Sequence, residues 1–138
     1  MHVVSHFSRK NRTRGGVLIM LKKEVSFIRL NDINSVAVES HFEITAIKIS
    51  IFNLIIVCIY RPPNGDSHIF FNQLYLMLNC LKYNNARIII GGDYNIHFNV
   101  QSGLTQNTVD AFRSYGLESI KPSQEKYSRS VLIRTMMA

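Results

Sequence analysis

Gly91 to Asn95, with the sequence Gly-Gly-Asp-Tyr-Asn, form the stretch of this chain with the clearest potential for chemistry. The stretch directly follows the apolar run 88–90, which predicts a loop at the carboxyl end of a buried strand. Asp93 and Asn95 are two positions apart and would point to the same side of an extended backbone. The carboxylate accepts hydrogen bonds or a proton, whereas the amide can also donate. Such a pair suits phosphodiester hydrolysis, in which one group orients and deprotonates a water and another holds a phosphoryl oxygen.

A second group of polar residues follows the most apolar strand of the sequence, Leu54 to Ile59. Tyr60 ends this run, and Arg61 precedes a proline, which favours extended backbone geometry at that position. The Tyr60 hydroxyl can donate to a phosphate oxygen, and the Arg61 guanidinium can bind one with its fork of donors. The alternative is a plain strand end that leads into a proline-glycine turn with an aromatic residue at its edge.

Each motif taken alone has such an ordinary interpretation, because Asp, Asn, Pro and Gly favour turns for local reasons. Both motifs, however, end apolar strands that flank a single predicted helix. Neighbouring strands would bring Tyr60 and Asp93 to the same edge of a sheet, where functional residues commonly gather. The pairing therefore favours the functional interpretation.

The elements that would position these loops are strands followed by helices. An antiparallel meander is predicted from short strands at 16–21, 25–30, 35–39, 44–51 and 54–59, with a tight turn at Phe52-Asn53. An apolar helical stripe then runs from Phe70 or Phe71 through Leu74 and Leu78 to Leu81, preceded by Asp66 and Ser67 as sources of N-cap oxygens. The pattern indicates an α+β fold in layers.

The remaining elements are predicted after the Asp93 loop. A second helix is expected from about Thr105 to Tyr115, with Val109 and Phe112 facing inward. Gly116 stands where a helix commonly ends on a glycine. One more short strand is expected at 117–120.

Composition limits the class of protein. The 138 residues suffice for one domain, and 46% apolar residues with 18% charged residues favour a folded chain over a disordered one. No run approaches the roughly 20 apolar residues of a membrane-spanning helix, and no signal-peptide pattern is present. Cys58 and Cys80 lie in apolar segments, so we expect two buried, reduced thiols in an intracellular protein.

The formal net charge is +7, from 16 Lys and Arg against 9 Asp and Glu. Such an excess favours polyanionic partners, of which nucleic acid is the commonest. Six of the cations crowd the first part of the chain: Arg9, Lys10, Arg12, Arg14, Lys22 and Lys23. A solvated basic loop is the alternative, and the cluster alone does not choose between the two.

Taken in order, three motifs resemble the endonuclease/exonuclease/phosphatase superfamily, in the variant encoded by animal non-LTR retrotransposons. They are Arg14-Gly15-Gly16-Val17, Tyr60-Arg61-Pro62-Pro63-Asn64 and Gly92-Asp93-Tyr94-Asn95, with a helix before Tyr115-Gly116-Leu117. The resemblance is clearest from about 14 to 120. It implies a four-layer αββα sandwich of the DNase-I-like type and Mg²⁺-dependent hydrolysis of a DNA phosphodiester.

The resemblance also implies roles for individual residues. Asp93 would orient or deprotonate the attacking water, and Asn95 and Tyr60 would contact the scissile phosphate. Asn64 would have a structuring or DNA-contacting role, and Arg61 stays assigned to nucleic-acid binding from the chemistry of its side chain. Tyr94 stands where Phe is more usual, at an expected packing position.

The departures from the family pattern concern the metal. Family members carry an Asn and a metal-binding Glu before the segment that resembles His2 to Phe7, and they close on a Ser-x-x-Asp-His or Asp-Asn motif. Residues 130–135 align with that closing motif, with Arg134 and Thr135 in place of the acid and its partner. Four carboxylates are not in equivalent positions and are not taken as metal ligands: Glu24, Glu39, Glu43 and Asp66.

We therefore expect residues 1–138 to form a single, incomplete domain whose first and last strands are missing. Mg²⁺ is the cofactor that the resemblance implies, and we expect no metal site and no catalysis in the isolated chain. DNA is the expected partner, in the nucleus. The rest of a retrotransposon polyprotein with a reverse transcriptase is a second partner that the resemblance implies. Two alternatives stay open, namely a non-catalytic basic nucleic-acid-binding remnant and a phosphatase of the same superfamily acting on a small phosphate ester.

Overall fold

Two sheets and three helices are formed by residues 1–96, 103–119 and 129–134, which the computed structural model describes. The strands are β1 (His2–Phe7), β2 (Val17–Leu21), β3 (Ile28–Arg29), β4 (Glu43–Ile49), β5 (Leu54–Tyr60), β6 (Arg87–Asp93), β7 (Glu118–Ser119) and β8 (Arg129–Arg134). The helices are α1 (Asn31–Asn34), α2 (Ser67–Lys82) and α3 (Gly103–Ser114), and a short 3₁₀ turn covers Ser50–Phe52.

The larger sheet has six strands in the order β3-β4-β5-β6-β8-β7. Strands β5 and β6 are parallel and are connected through α2, whereas the other pairs in this sheet are antiparallel. Strands β1 and β2 form a separate antiparallel sheet that packs on β4 and β5. This is the predicted layered α+β arrangement, with helices on one face of the large sheet and the small sheet on the other.

Apolar residues fill both faces of the large sheet. The main cluster lies between the sheet and the helices, and it includes the alternating residues Ile55, Val57 and Ile59 of β5. A second cluster joins Val4 and Ile19 of the small sheet to β4, and Ile56 and Cys58 pack against it from the other face of β5. Burial on both sides explains why β5 reads as a continuous apolar run.

The α2 helix begins and packs as the sequence predicts. Asp66 is its N-cap, and the Asp66 Oδ1 accepts hydrogen bonds from the backbone N–H groups of His68 (2.8 Å) and Ile69 (3.1 Å). The helix buries Phe70, Leu74, Met77, Leu78 and Leu81. It covers the sheet between the two strands that it connects and so brings their carboxyl ends side by side.

The predicted tight turn at Asn53 and the predicted glycine after the second long helix are both confirmed. Asn53 adopts a left-handed conformation with φ 46° in the tight turn between β4 and β5, which Asn tolerates better than most residues. Helix α3 ends at Ser114, Gly116 follows it with φ 76°, and the Leu117 N–H donates to the Phe112 carbonyl. Phe112 is buried as expected, but Val109 is only half-buried, since the inward stripe also uses Thr105, Thr108 and Ala111.

The predicted meander is wrong in its first half. Residues 35–39 form no strand, because they follow α1 as turns and pair only through an isolated bridge between Val38 and Phe42. Asn34 explains part of the difference, since its Oδ1 accepts a 2.7 Å hydrogen bond from the Ala46 N–H at the sheet edge. The strand expected at 25–30 is reduced to β3. Strand β2 pairs with β1, which the sequence pattern does not predict.

Gly91 and Gly92, just before the last residue of β6, differ sharply in the space around them. A Cβ at Gly92 would lie 1.9 Å from the Ile59 carbonyl oxygen, whereas a Cβ at Gly91 meets no atom of the described residues within 4 Å. Because the obstacle at Gly92 is backbone of the neighbouring strand, it cannot move aside without displacing β5.

We predict that Gly92→Ala lowers the free energy of unfolding by about 3 kcal/mol or more. The adjacent Gly91→Ala is the control and should change it by less than about 1 kcal/mol. Urea unfolding followed by circular dichroism measures both values. Equal effects of the two substitutions would show that the close approach at Gly92 does not constrain the sheet.

Candidate active site

One row of paired residues crosses the large sheet at the carboxyl end of β5 and β6. Glu43 of β4 pairs with Tyr60 of β5, and Tyr60 pairs with Asp93 of β6. The Arg61 N–H extends the ladder by donating to the Asp93 carbonyl at 2.9 Å. The expectation that Tyr60 and Asp93 meet at one edge is thus met by the strand register. Two loops leave this edge, the tyrosine loop (residues 60–66) and the aspartate loop (residues 93–96).

The aspartate loop is fixed by its own side chains. The Asp93 Oδ1 accepts a 3.0 Å hydrogen bond from the Asn95 N–H, which closes a turn directly after the strand. Asn95 has φ 48°, a left-handed conformation that Asn tolerates. The Asn95 amide then donates to the Arg61 carbonyl at 2.6 Å. Asp93 and Asn95 are therefore held against each other and against the tyrosine loop.

Tyr94 turns in the opposite direction, into the core. Its side chain is fully buried, and its ring lies 5.9 Å from that of Phe112 on α3. Burial raises the pKa of the Tyr94 hydroxyl above its ordinary value. The residue has the packing environment expected of the position, and it anchors the loop between the two polar residues.

Tyr60 is half-buried at the end of β5. The Arg9 guanidinium carbon lies 6.0 Å from the centroid of its ring, within the range of a cation–π contact. Arg9 in turn forms an ion pair with Glu43, the neighbour of Tyr60 in the row. The tyrosine is thus flanked by a strand on each side and by a cation over its ring.

Arg61 points into the protein. It is 6% exposed, its Nη2 donates to the Gly65 carbonyl at 2.8 Å, and its Nη1 lies 3.4 Å from the Tyr94 carbonyl. The guanidinium also lies over the Phe70 ring at 5.6 Å. Burial lowers the pKa of the Arg61 guanidinium, and the charge of Asp66 opposes that shift. In this arrangement Arg61 connects the tyrosine and aspartate loops, and its predicted contact with DNA remains a prediction.

Asn64 lies on the outside of the tyrosine loop. The Gly65 N–H donates to the Pro62 carbonyl at 2.9 Å and closes a turn that exposes the Asn64 side chain. The loop is also tied to its neighbourhood by the Asp66 N–H, which donates to the His41 Nδ1 at 2.9 Å. Asn64 is therefore accessible to a partner, although it does not touch the other predicted site residues.

Glu43 is a residue of this edge that was considered from the sequence only as a metal ligand, and was set aside. It is fully buried, and both carboxylate oxygens are engaged. Its Oε1 accepts from the Arg9 guanidinium and from the Ser40 N–H (3.1 Å), and its Oε2 accepts from the Gly16 N–H (2.8 Å). The available signal was a carboxylate directly at the start of the apolar run of β4. A buried charge there requires a partner.

The segment that aligns with the closing motif starts beside Asp93 and runs away from this edge of the sheet. Along β8, Arg129 pairs with Asp93 and Ser130 with Gly92, whereas Arg134 pairs with Ile88 at the opposite end of β6. Arg134 therefore does not join the row at the active-site edge, and Thr135 lies outside the described residues.

No protein-family model matches the chain, and no curated protein matches it in a sequence search. A comparison of structures finds the endonuclease domain of TRAS1, a telomere-specific non-LTR retrotransposon, with a TM-score of 0.72 and 10% sequence identity. The match covers 96% of this chain and 66% of that chain. The chain has a DNase-I-like fold. The fold class expected from the sequence is confirmed, and the chain spans just under two thirds of the domain that it resembles.

The DNase-I-like fold raises the question of whether Mg²⁺ fits this edge. Mg²⁺ is a hard cation that requires oxygen ligands in near-octahedral geometry. The carboxylates in the row are Asp93 and Glu43, and the Glu43 oxygens already accept from a cation and two backbone N–H groups. Within residues 1–96, 103–119 and 129–134, no group of three or more His, Cys, Asp or Glu side chains is placed to hold a metal ion. Protein donors thus occupy the Glu43 oxygens, which leaves the row poor in oxygen ligands for Mg²⁺.

Two further findings concern the rest of the chain. No helix among the described residues is both long and apolar enough to cross a membrane. Cys58 and Cys80 form no disulfide and are half-buried, and burial raises the pKa of both thiols.

The position of Arg61 leads to a stability prediction. Arg61→Met keeps the packing on Phe70 but removes the donors to the Gly65 and Tyr94 carbonyls, which should lower the free energy of unfolding by about 2–4 kcal/mol. The exposed Arg12→Met is the control and should change it by less than about 0.5 kcal/mol. Chemical unfolding of the two variants provides the comparison. If Arg61→Met were as stable as the control, the guanidinium would not hold the two loops together.

Proposed function

We propose that this chain carries the water- and phosphate-binding part of a DNA endonuclease site of the retrotransposon type. The observation that supports the proposal best is the register pair Tyr60–Asp93 on a DNase-I-like fold, with Asn95 tied to the same two loops. Two groups with complementary hydrogen-bonding capacity thereby stand at one sheet edge, as phosphodiester hydrolysis needs.

Each residue of this group has a distinct role in the proposal. Asp93 orients or deprotonates the attacking water, since a carboxylate at a sheet edge can accept both a hydrogen bond and a proton. Asn95 contacts a phosphoryl oxygen with the second N–H of its amide, because the first is used by the Arg61 carbonyl. The Tyr60 hydroxyl donates to another oxygen of the same phosphate. Asn64 and Arg61 stay assigned to DNA contact and to shaping the tyrosine loop.

The metal belongs to the ancestral activity, and we propose that the chain by itself is inactive. In a site of this kind Mg²⁺ would stabilise charge on the phosphoryl group, a contribution of several kcal/mol. Each 1.36 kcal/mol is tenfold in rate, so its loss removes several orders of magnitude. The engagement of both Glu43 oxygens supports this part of the proposal, because that carboxylate would have to release Arg9 to bind a metal. Action on DNA would place the chain in the nucleus.

Nicking of supercoiled plasmid in the presence of Mg²⁺ tests the proposal. We expect the unmodified chain to nick no faster than Asp93→Ala, because the Glu43 oxygens are engaged by protein donors and not free for a metal ion. Asp32→Ala, which removes an exposed carboxylate far from the edge, is the control. Nicking that is lost in Asp93→Ala and kept in Asp32→Ala would support the endonuclease assignment and refute the inactivity. Nicking that survives Asp93→Ala would refute the assigned role of Asp93.

A second candidate function is non-catalytic binding of nucleic acid. It is favoured by the exposed side chains of Lys10, Arg12 and Arg14, which form no ion pair among the described residues. Neutralising three phosphates should give a slope of about −3 in a plot of log binding constant against log salt concentration. Fluorescence anisotropy of a labelled duplex, measured over a salt series, supplies this slope. A flat plot would remove nucleic-acid binding from consideration.

A further inference from the structure

A loop with four cations lies directly beside the proposed site. This basic loop, residues 8–16, connects β1 to β2 and contains Arg9, Lys10, Arg12 and Arg14. Among these, Arg9 is turned inward onto Glu43, with its side chain 9% exposed, whereas the other three are exposed. One cation of the loop thus forms an ion pair within the protein, and the other three are exposed at the surface.

The end of the basic loop is anchored by the buried carboxylate of Glu43. This carboxylate accepts hydrogen bonds from Arg9 at the beginning of the loop and from the Gly16 N–H at its end, so it holds the two ends of the loop together. Gly16 has φ 96°, and a Cβ there would lie 2.6 Å from the Phe7 carbonyl oxygen. Only glycine fits such a position without strain. The close approach of the two loop ends is therefore built into the sequence.

The middle of the basic loop has an anchor of its own. The Glu39 carboxylate accepts from the Asn11 backbone N–H at 2.9 Å and from the Asn11 side-chain amide at 3.0 Å. The backbone hydrogen bond from Asn11 is the main cause that holds the pKa of Glu39 below its usual value. With anchors at both ends and in the middle, the loop has little freedom left.

The loop is also fixed relative to the proposed site. Glu43 pairs with Tyr60 in the sheet, and Arg9 lies over the Tyr60 ring at 6.0 Å. The anchor of the loop is therefore a direct neighbour of the residue proposed to contact the phosphate.

We propose that Glu43 and Glu39 hold the basic loop as a preformed rim that binds the phosphate backbone of DNA next to the Tyr60–Asp93 edge, through Lys10, Arg12 and Arg14. This inference rests on the proposed function for its partner and adds the surface that binds it. Both glutamates are positioning residues, since they act through the loop and not on the DNA. A loop that is ordered before binding loses less conformational entropy on association, which strengthens the complex.

Limited trypsin digestion of the full chain tests the anchoring without any DNA. Trypsin cleaves after Lys and Arg, so release of the loop should raise the rate of cleavage at Lys10, Arg12 and Arg14 by about tenfold in Glu43→Gln and in Glu39→Gln. Glu24→Gln, an exposed substitution with the same change in charge, should leave that rate unchanged. Glu39→Gln removes a surface contact only, so it keeps the test valid if Glu43→Gln fails to fold. Equal loop cleavage in Glu24→Gln and Glu39→Gln would overturn the anchoring.

DNA affinity gives a test in which the proposal and simple electrostatics predict opposite signs. Glu39→Gln and Glu43→Gln each make the chain more positive, which by charge alone would strengthen binding to a duplex. The proposal instead predicts weaker binding of a labelled duplex, by about threefold to tenfold, because the rim is no longer preformed. Glu24→Gln should bind equally or more tightly. Tighter binding by both loop-anchor variants would overturn the proposal.

The cations of the loop are tested by the salt dependence of the same binding. The triple substitution of Lys10, Arg12 and Arg14 by Ala should reduce the log–log salt slope by about 3. The control has the same change in net charge, through Ala at Lys22, Lys23 and Lys82, and should keep most of the slope. Equal slopes in the two triple variants, or no binding by the unmodified chain at low salt, would overturn the proposal that the basic loop binds DNA. The nicking assay does not enter these outcomes, so inactivity of the chain leaves them intact.

Discussion

The parallel pairing of β5 with β6 is the constraint on which the rest of the site depends. Parallel neighbours require a crossover, and α2 provides it by packing its apolar stripe over both strands. As a result, the chain leaves the sheet twice at the same edge and in the same direction. Tyr60 and Asp93 then become neighbours through register alone, although 33 residues separate them in the sequence. Apolar packing thus determines where the two polar loops lie, and the polar residues then form their hydrogen bonds within that arrangement.

The hydrogen bonds of the two loops satisfy buried backbone carbonyls at this edge of the sheet. Backbone carbonyls at the ends of strands lose their sheet partners and need donors when they are buried. Arg61 supplies donors to the carbonyls of Gly65 and Tyr94, and Asn95 supplies one to the carbonyl of Arg61 itself. Side chains that the sequence pattern assigns to phosphate binding therefore also stabilise the two loops. Asn95 can do both, because its amide has a second N–H. The Arg61 guanidinium is enclosed by the protein and is less able to bind a ligand as well.

Much of the fold was predictable from the sequence because its core elements have strong periodic patterns. The run of β5, the stripe of α2 and the glycine after α3 all act locally, and each was found where it was expected. The failures have long-range causes. Residues 35–39 are apolar enough for a strand, yet the Asn34 side chain caps the sheet edge from a helix. The inward turn of Arg61 depends on the Gly65 carbonyl of its own loop and on the Tyr94 carbonyl, more than 30 residues away, and no local pattern encodes the second contact. The role of Glu43 was missed for a similar reason, since two of its three partners, Arg9 and Gly16, lie in the loop before β2.

Glu43 also shows how protein donors can engage a carboxylate at this edge of the sheet. A carboxylate at the active-site edge is available either to a metal or to protein donors, and here protein donors occupy both of its oxygens. The contacts that position Asp93, Asn95 and Tyr60 are strand pairing and hydrogen bonds within the protein, none of which needs a cation to form. Among the described residues, these contacts join protein groups to one another. The loss of catalysis would leave no mark on the fold, and an exposed basic loop anchored by Glu43 would still attract a polyanion.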